Sequence, residues 1–122
     1  EKIFIMTFLE INDKSLYFSQ EHYFEKLKSQ LSKDINNDDF DCQLKRISIR
    51  KSQNLPILVQ RFLEEIFDKQ SSLFYQLMHR IDIPDADLKI QFIDLGNDFE
   101  CLADLVLRRE LIKILIREKY SE

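Results

Sequence analysis

Two histidines, two cysteines and a single glycine set narrow limits on the chemistry this chain of 122 residues can perform. His22 with Glu25 or Glu21 would give a metal two ligands, whereas a useful zinc site needs three or four. His79 stands beside Met78 and Arg80 with no second ligand at helical spacing, so it reads as a structural residue near a helix end. Cys42 and Cys101 are 59 positions apart by their numbers. A lone, widely spaced pair reads as two small apolar thiols of a reducing compartment, not as a disulfide framework. Serines such as Ser48 and Ser72 have no histidine near them in sequence, and no nucleophile elbow, kinase set or deaminase signature is present.

The acidic run Asp34, Asn36, Asp38, Asp39, Asp41 invites a calcium reading. A calcium-binding loop opening at Asp34 would require glycine where Asp39 stands and glutamate where Lys45 stands, so the register fails at its two most diagnostic positions. A solvated connecting loop is the expectation. Asp82, Asp85 and Asp87 bracket Pro84 in the same way, as turn and first-turn residues. Gly96 alone also removes phosphate-cradling loops, because both the dinucleotide fingerprint and the P-loop need several glycines for the backbone to approach the ligand. No cofactor is expected.

Lys45, Arg46, Arg50 and Lys51 form the one basic cluster interleaved with apolar residues, and Tyr17, Tyr23 or Tyr75 would supply stacking surfaces for bases. Against this stands a net charge of −4, which repels phosphate backbones and anionic lipid over long range. Nucleic-acid binding is therefore a minor alternative. No run approaches the roughly 18 apolar residues of a membrane span. The apolar run from Ile3 to Leu9 is too short for a secretory leader with its flanks, and Met6 reads as a candidate natural start. The expected setting is cytoplasmic.

With hydrophobic residues at 44% and ten phenylalanines, a single globular domain over residues 1–122 is expected. Residues 2–18 read as a short β-hairpin, with turn chemistry at Asn12 to Ser15. Ser19 reads as an N-cap, with a staple between Phe18 and Tyr23, opening a helix over 20–34 that buries Tyr23, Phe24, Leu27 and Leu31. Residues 40–50 fit both periods, and Ile47-Ser48-Ile49 tilts the reading toward a strand. From 55 to 81 the apolar face holds Leu58, Val59, Phe62, Leu63, Ile66 and Phe67, then Leu73, Phe74, Leu77, Met78 and Ile81. This is one long helix or two that break near Ser71-Ser72, where Ser72 would cap the second. Residues 85–95 read as a shorter helix with Leu88, Phe92 and Leu95 inward, stopped by Gly96 in the left-handed conformation. Asn97 and Glu100 stand at capping-box spacing before the last helix. Phe62, Leu63, Ile66, Leu77, Leu102 and Val106 are expected in the core.

The fold expected is mainly α, a bundle of four to five helices with the N-terminal hairpin packed on it, with α+β as the alternative. On the last helix the polar stripe moves from Glu100 and Asp104 to Arg109, Glu110, Lys113 and Arg117, roughly half a turn round. Either this helix runs through the middle of the domain, or Leu111, Ile114, Leu115 and Tyr120 form an exposed apolar patch that a second copy or another protein covers. The second reading makes the chain a small interaction or accessory protein, the leading hypothesis. Its rivals are an enzyme whose site is assembled from scattered carboxylates and tyrosines, and the weak nucleic-acid binder.

Overall fold

The computed structural model describes residues 19–120, which form six α-helices and two short 3-10 turns, with no strand among the described residues. The helices are α1 (Glu21–Ile35), α2 (Asp38–Lys45), α3 (Asn54–Lys69), α4 (Ser71–Ile81), α5 (Asp85–Gln91) and α6 (Phe99–Tyr120). The class is all-α, with more helices than the four or five expected from sequence. The hairpin over 2–18 and the Phe18 half of the staple lie outside the described residues.

The boundaries follow from local chemistry. Asn36 ends α1 at φ 51, a left-handed value that asparagine tolerates better than most residues. Asn37 then opens α2, its side chain accepting from the Phe40 amide at 2.9 Å. Asp38, Asp39 and Asp41 fall in the first turn of α2, where the helix dipole favours negative charge. The stretch 34–41, expected as a connecting loop, instead closes α1 and opens α2, and the strand favoured over 40–50 gives way to α2 and a 3-10 turn at Ile49–Lys51. At the start of α1 the N-cap is Gln20, one residue beyond Ser19, with no side-chain cap bond.

The long amphipathic run divides at Gln70, whose extended backbone separates α3 from α4, so Ser72 lies inside the second helix. Gly96 has φ 72, as its position required. Helix α5 stops earlier, at Gln91, because Phe92 leaves the helical region at φ −135. The capping expected of Asn97 belongs instead to Asp98, whose carboxylate accepts from the Cys101 amide at 3.0 Å and opens α6.

Helix α6 is the axis of the bundle: α1, α3, α4 and α5 all pack on it, while α2 closes against α1 and α3. That position explains its wandering polar stripe. Leu105, Val106 and Leu107 are buried in succession, as are Glu110, Leu111 and Ile112, so no single face of α6 is the solvent face. Leu63, Leu77, Leu102 and Val106 are buried as expected. Phe62 and Ile66 are only half-buried, packed on the rim of the core, with Phe62 against the ring of Phe40 at 5.2 Å. A second aromatic cluster joins α3, α4, α6 and the residue that follows α5: Phe67 lies 5.0 Å from Phe74 and 5.4 Å from Phe99, and Phe92 lies 5.0 Å from Phe99, all edge-on.

Candidate functional site

Gln30 and Asp34 are one helical turn apart on α1, and Glu110, Lys113 and Arg117 follow the i, i+3, i+7 spacing on α6, so each set forms one stripe. The two stripes face each other. Lys113 Nζ donates to Asp34 Oδ2 at 2.8 Å and lies 3.1 Å from Glu110 Oε1. Gln30 Nε2 donates to the same Asp34 oxygen at 3.0 Å, and Arg117 Nη2 donates to Gln30 Oε1 at 2.8 Å. From α4, Arg80 Nε donates to the Asp34 backbone carbonyl at 2.6 Å, tying the C-terminal turn of α1 into the same group.

Glu110 is the most heavily buried of these groups, with 0% of its surface exposed. Among the described residues Lys113, 3.1 Å away, is the one cation near the Glu110 carboxyl, and it also donates to Asp34, so as a carboxylate Glu110 would be poorly compensated. An ionised carboxylate left so is expensive. Burial first, then the hydrogen bond and like charge of Asp34, push the Glu110 carboxyl up to about 9 against the pull of Lys113. Glu110 is therefore a neutral acid at pH 7, and its O–H faces Asp34 as a donor. Burial alone would also raise Asp34, but the hydrogen bonds from Glu110, Lys113 and Gln30 outweigh it and hold Asp34 below its ordinary value. At its centre the ionised Asp34 faces the cation of Lys113 and the proton of Glu110, and Arg80 and Arg117 add two further positive charges at the edges.

Two carboxyls with values driven apart form the pattern of acid–base chemistry. A cleft of about 210 Å³ between α1 and α6 adjoins the cluster, and it is lined by Lys26, Ser29, Gln30, Lys33 and Arg117. Its walls reach the outer members of the network and do not include Glu110 or Asp34.

The residues singled out from sequence are dispersed. Leu111 and Ile114 are buried in the core, which removes them from any exposed face of α6; Leu115 is half-buried and Tyr120 exposed. The central-helix reading accounts for the first two, since α1, α3 and α4 cover that stretch. Lys45, Arg46, Arg50 and Lys51 are all exposed but do not share one surface hollow. Lys45 lines a groove of about 370 Å³ with Lys28, Lys33, Glu25 and Asp41, whereas Arg46 lines another of about 350 Å³ with Arg61, Asn54 and Ile57. Tyr23 is half-buried beside His22, and Tyr75 is exposed on α4 with its ring edge-on to Phe74; Tyr17 lies outside the described residues. His22 Nε2 lies 2.9 Å from Glu118 Oε2, which also accepts from Lys26. Among the described residues, no three histidine, cysteine or acidic side chains converge as a metal site.

Sequence reasoning missed an apolar ledge on α5 and the 3-10 turn Ile93–Leu95 that follows it. Ile90, Ile93 and Leu95 are 60%, 45% and 53% exposed, while Leu88 and Phe92 between them are buried. Continuing the helix through 95 would place Leu95 inward. The backbone leaves helical geometry at Phe92, and Leu95 is turned to the surface instead. Leu73 departs likewise, exposed because the break at Gln70 resets the phase of α4.

Among the described residues, no helix is long and apolar enough to cross a membrane. No protein-family model, curated protein or solved structure matches the chain.

Proposed function

We propose that the chain is a protein-interaction module whose contact surface is the ledge of Ile90, Ile93 and Leu95. The observation that carries this reading is the exposure of three large aliphatic side chains within six positions, on a segment anchored from below by Leu88, Phe92 and the turn at Gly96. Contiguous apolar surface on a rigid support favours association, because covering it releases the water that hydrates it. The rim supplies the polarity of the partner. Residues 85–98 contain Asp85, Asp87, Asp94 and Asp98 against one cation, Lys89, which is paired with Asp94 at 3.0 Å. Two copies meeting here would oppose like charges, so the reading favours a different protein that offers apolar side chains flanked by lysine or arginine. A cytoplasmic accessory role is part of the proposal, supported by two free thiols at Cys42 and Cys101.

The test is fluorescence anisotropy with two labelled amphipathic helical peptides, one of leucine and lysine and one of leucine and glutamate. The basic peptide is expected to bind with a salt-sensitive affinity that the I93D/L95D variant loses, and the acidic peptide is expected not to bind. Equal binding of both peptides, or binding of the basic one that survives I93D/L95D, would sink the proposal.

A further inference from the structure

We propose that the cleft between α1 and the C-terminal turns of α6 is a binding site for a phosphoryl group, held by Arg117, Lys33 and Lys26. Three cations and no carboxylate line this cleft, together with Ser29 and Gln30, on a chain whose net charge is −4. A local concentration of one sign against the overall charge is the electrostatic footprint of an anion site. The spacing is deliberate in geometry: Lys26, Ser29 and Lys33 follow i, i+3, i+7 along one stripe of α1, and Arg117 approaches from α6 on the opposite wall.

The guanidinium is held before any ligand arrives. Arg117 donates to Gln30 at 2.8 Å, Gln30 donates to Asp34 at 3.0 Å, and Asp34 is clamped by Lys113 at 2.8 Å. Gln30 and Asp34 are both buried, 6% and 7% exposed, so Arg117 at the surface is tied to groups fixed in the interior. An arginine fixed in this way loses little side-chain entropy on binding, and its planar fork suits the paired oxygens of a phosphoryl group. Lys26 is partly neutralised by Glu118 at 2.9 Å. Lys33 has no ion pair among the described residues and, with Arg117, supplies most of the attraction. The volume of about 210 Å³ accepts a phosphoryl group with some water and is too small to enclose a nucleoside as well. The ligand is therefore recognised by its phosphate alone, either as the free anion or as a phosphorylated side chain.

The experiment is a residue-resolved amide NMR titration of the full chain with inorganic phosphate, against sodium chloride at equal ionic strength, and in parallel with a short phosphoserine peptide. Saturating shifts confined to residues 26–33 and 113–118 are expected with phosphate and absent with chloride. R117Q and K33Q are each expected to weaken binding roughly tenfold, the loss of one charge-assisted contact. Q30A is expected to weaken it as well, although Gln30 carries no charge, because it releases Arg117. K119Q, which removes a cation of the same helix outside the cleft, is expected to leave affinity unchanged. Tighter binding of the peptide than of phosphate identifies a phosphorylated side chain as the ligand, and equal affinity identifies the free anion. Linear shifts spread over the whole basic surface, or K119Q matching R117Q, would overturn the proposal.

Discussion

Asp34 and Lys113, 79 positions apart in the chain, meet at 2.8 Å where the C-terminal turn of α1 packs on α6. Their pairing makes the neighbouring position of Glu110 tolerable, because a neutral acid can donate to an anion that a lysine already balances. Removing either partner alone would leave a buried group uncompensated.

Stability is expected to depend on pH through this cluster. Glu110 binds its proton more tightly in the folded chain than in the unfolded one, where its ordinary value is 4.5, and in the fold it reaches about 9. Between these values the unfolded state carries fewer protons, so stability is fully present below pH 4.5 and is lost as pH rises through the folded value. The slope contributed is roughly 1.4 kcal/mol per pH unit inside that window. Asp34 acts in the opposite sense, its contribution present above its ordinary 3.8 and lost only in stronger acid. Urea denaturation of E110Q, which mimics the neutral acid and has no proton to lose, is expected to show a nearly flat profile from pH 5 to 9. A wild-type profile equally flat would show that Glu110 does not titrate as described.

Truncation of Leu111 is expected to destabilise the chain without changing its mass in solution. Leu111 has no exposed surface, and a leucine-to-alanine change in a closed core costs roughly 2–5 kcal/mol. Phe62→Ala is expected to cost less than the usual figure for a phenylalanine, because part of that ring already meets solvent. Sedimentation and denaturation of L111A together check the point: a change of mass would return Leu111 to an interface.

Gly96→Ala is expected to cost about 1 kcal/mol through backbone strain alone. The left-handed φ of 72 disfavours any Cβ, yet nothing lies within 4 Å of where that carbon would stand. Because space is not the obstacle, G96N is expected to recover most of the loss, asparagine being at ease in that conformation. An equal loss for both variants in thermal denaturation would point to a steric cause.

Asn37→Ala is expected to cost about 1 kcal/mol by removing the bond to the Phe40 amide. Asn37→Asp keeps an acceptor and is expected to be nearly neutral. Chemical denaturation of the two variants decides whether the cap or the backbone at Asn37 matters.

The helical character of α1 and of the run 55–81 was readable from period, though not the position of the break at Gln70 or the exposure of Leu73, and the left-handed turn at Gly96 was readable from residue type. The segment over 40–50 was not, because eight residues satisfy an alternating and a helical pattern equally well. The deciding signal lay just upstream, in an asparagine followed by three aspartates at Asp38, Asp39 and Asp41, which is the charge pattern of a helix start. The polar cluster was harder still. Glu110, Lys113 and Arg117 were visible as a stripe, but only packing shows that it faces Gln30 and Asp34 instead of water. The ledge was hidden by a backbone irregularity at Phe92 that no periodicity announces.

The central position of α6 has a consequence for the order of events during synthesis. Leu27, Leu63 and Phe74 are buried in a core that Leu102, Val106 and Leu111 of α6 help to fill, and residues 99–120 reach the ribosome exit after every other described helix. At roughly 5–20 residues per second, synthesis of the 22 residues of α6 leaves the earlier helices without their common partner for about one to four seconds. Their apolar stripes lack that partner through the interval, so closure of the core waits for α6.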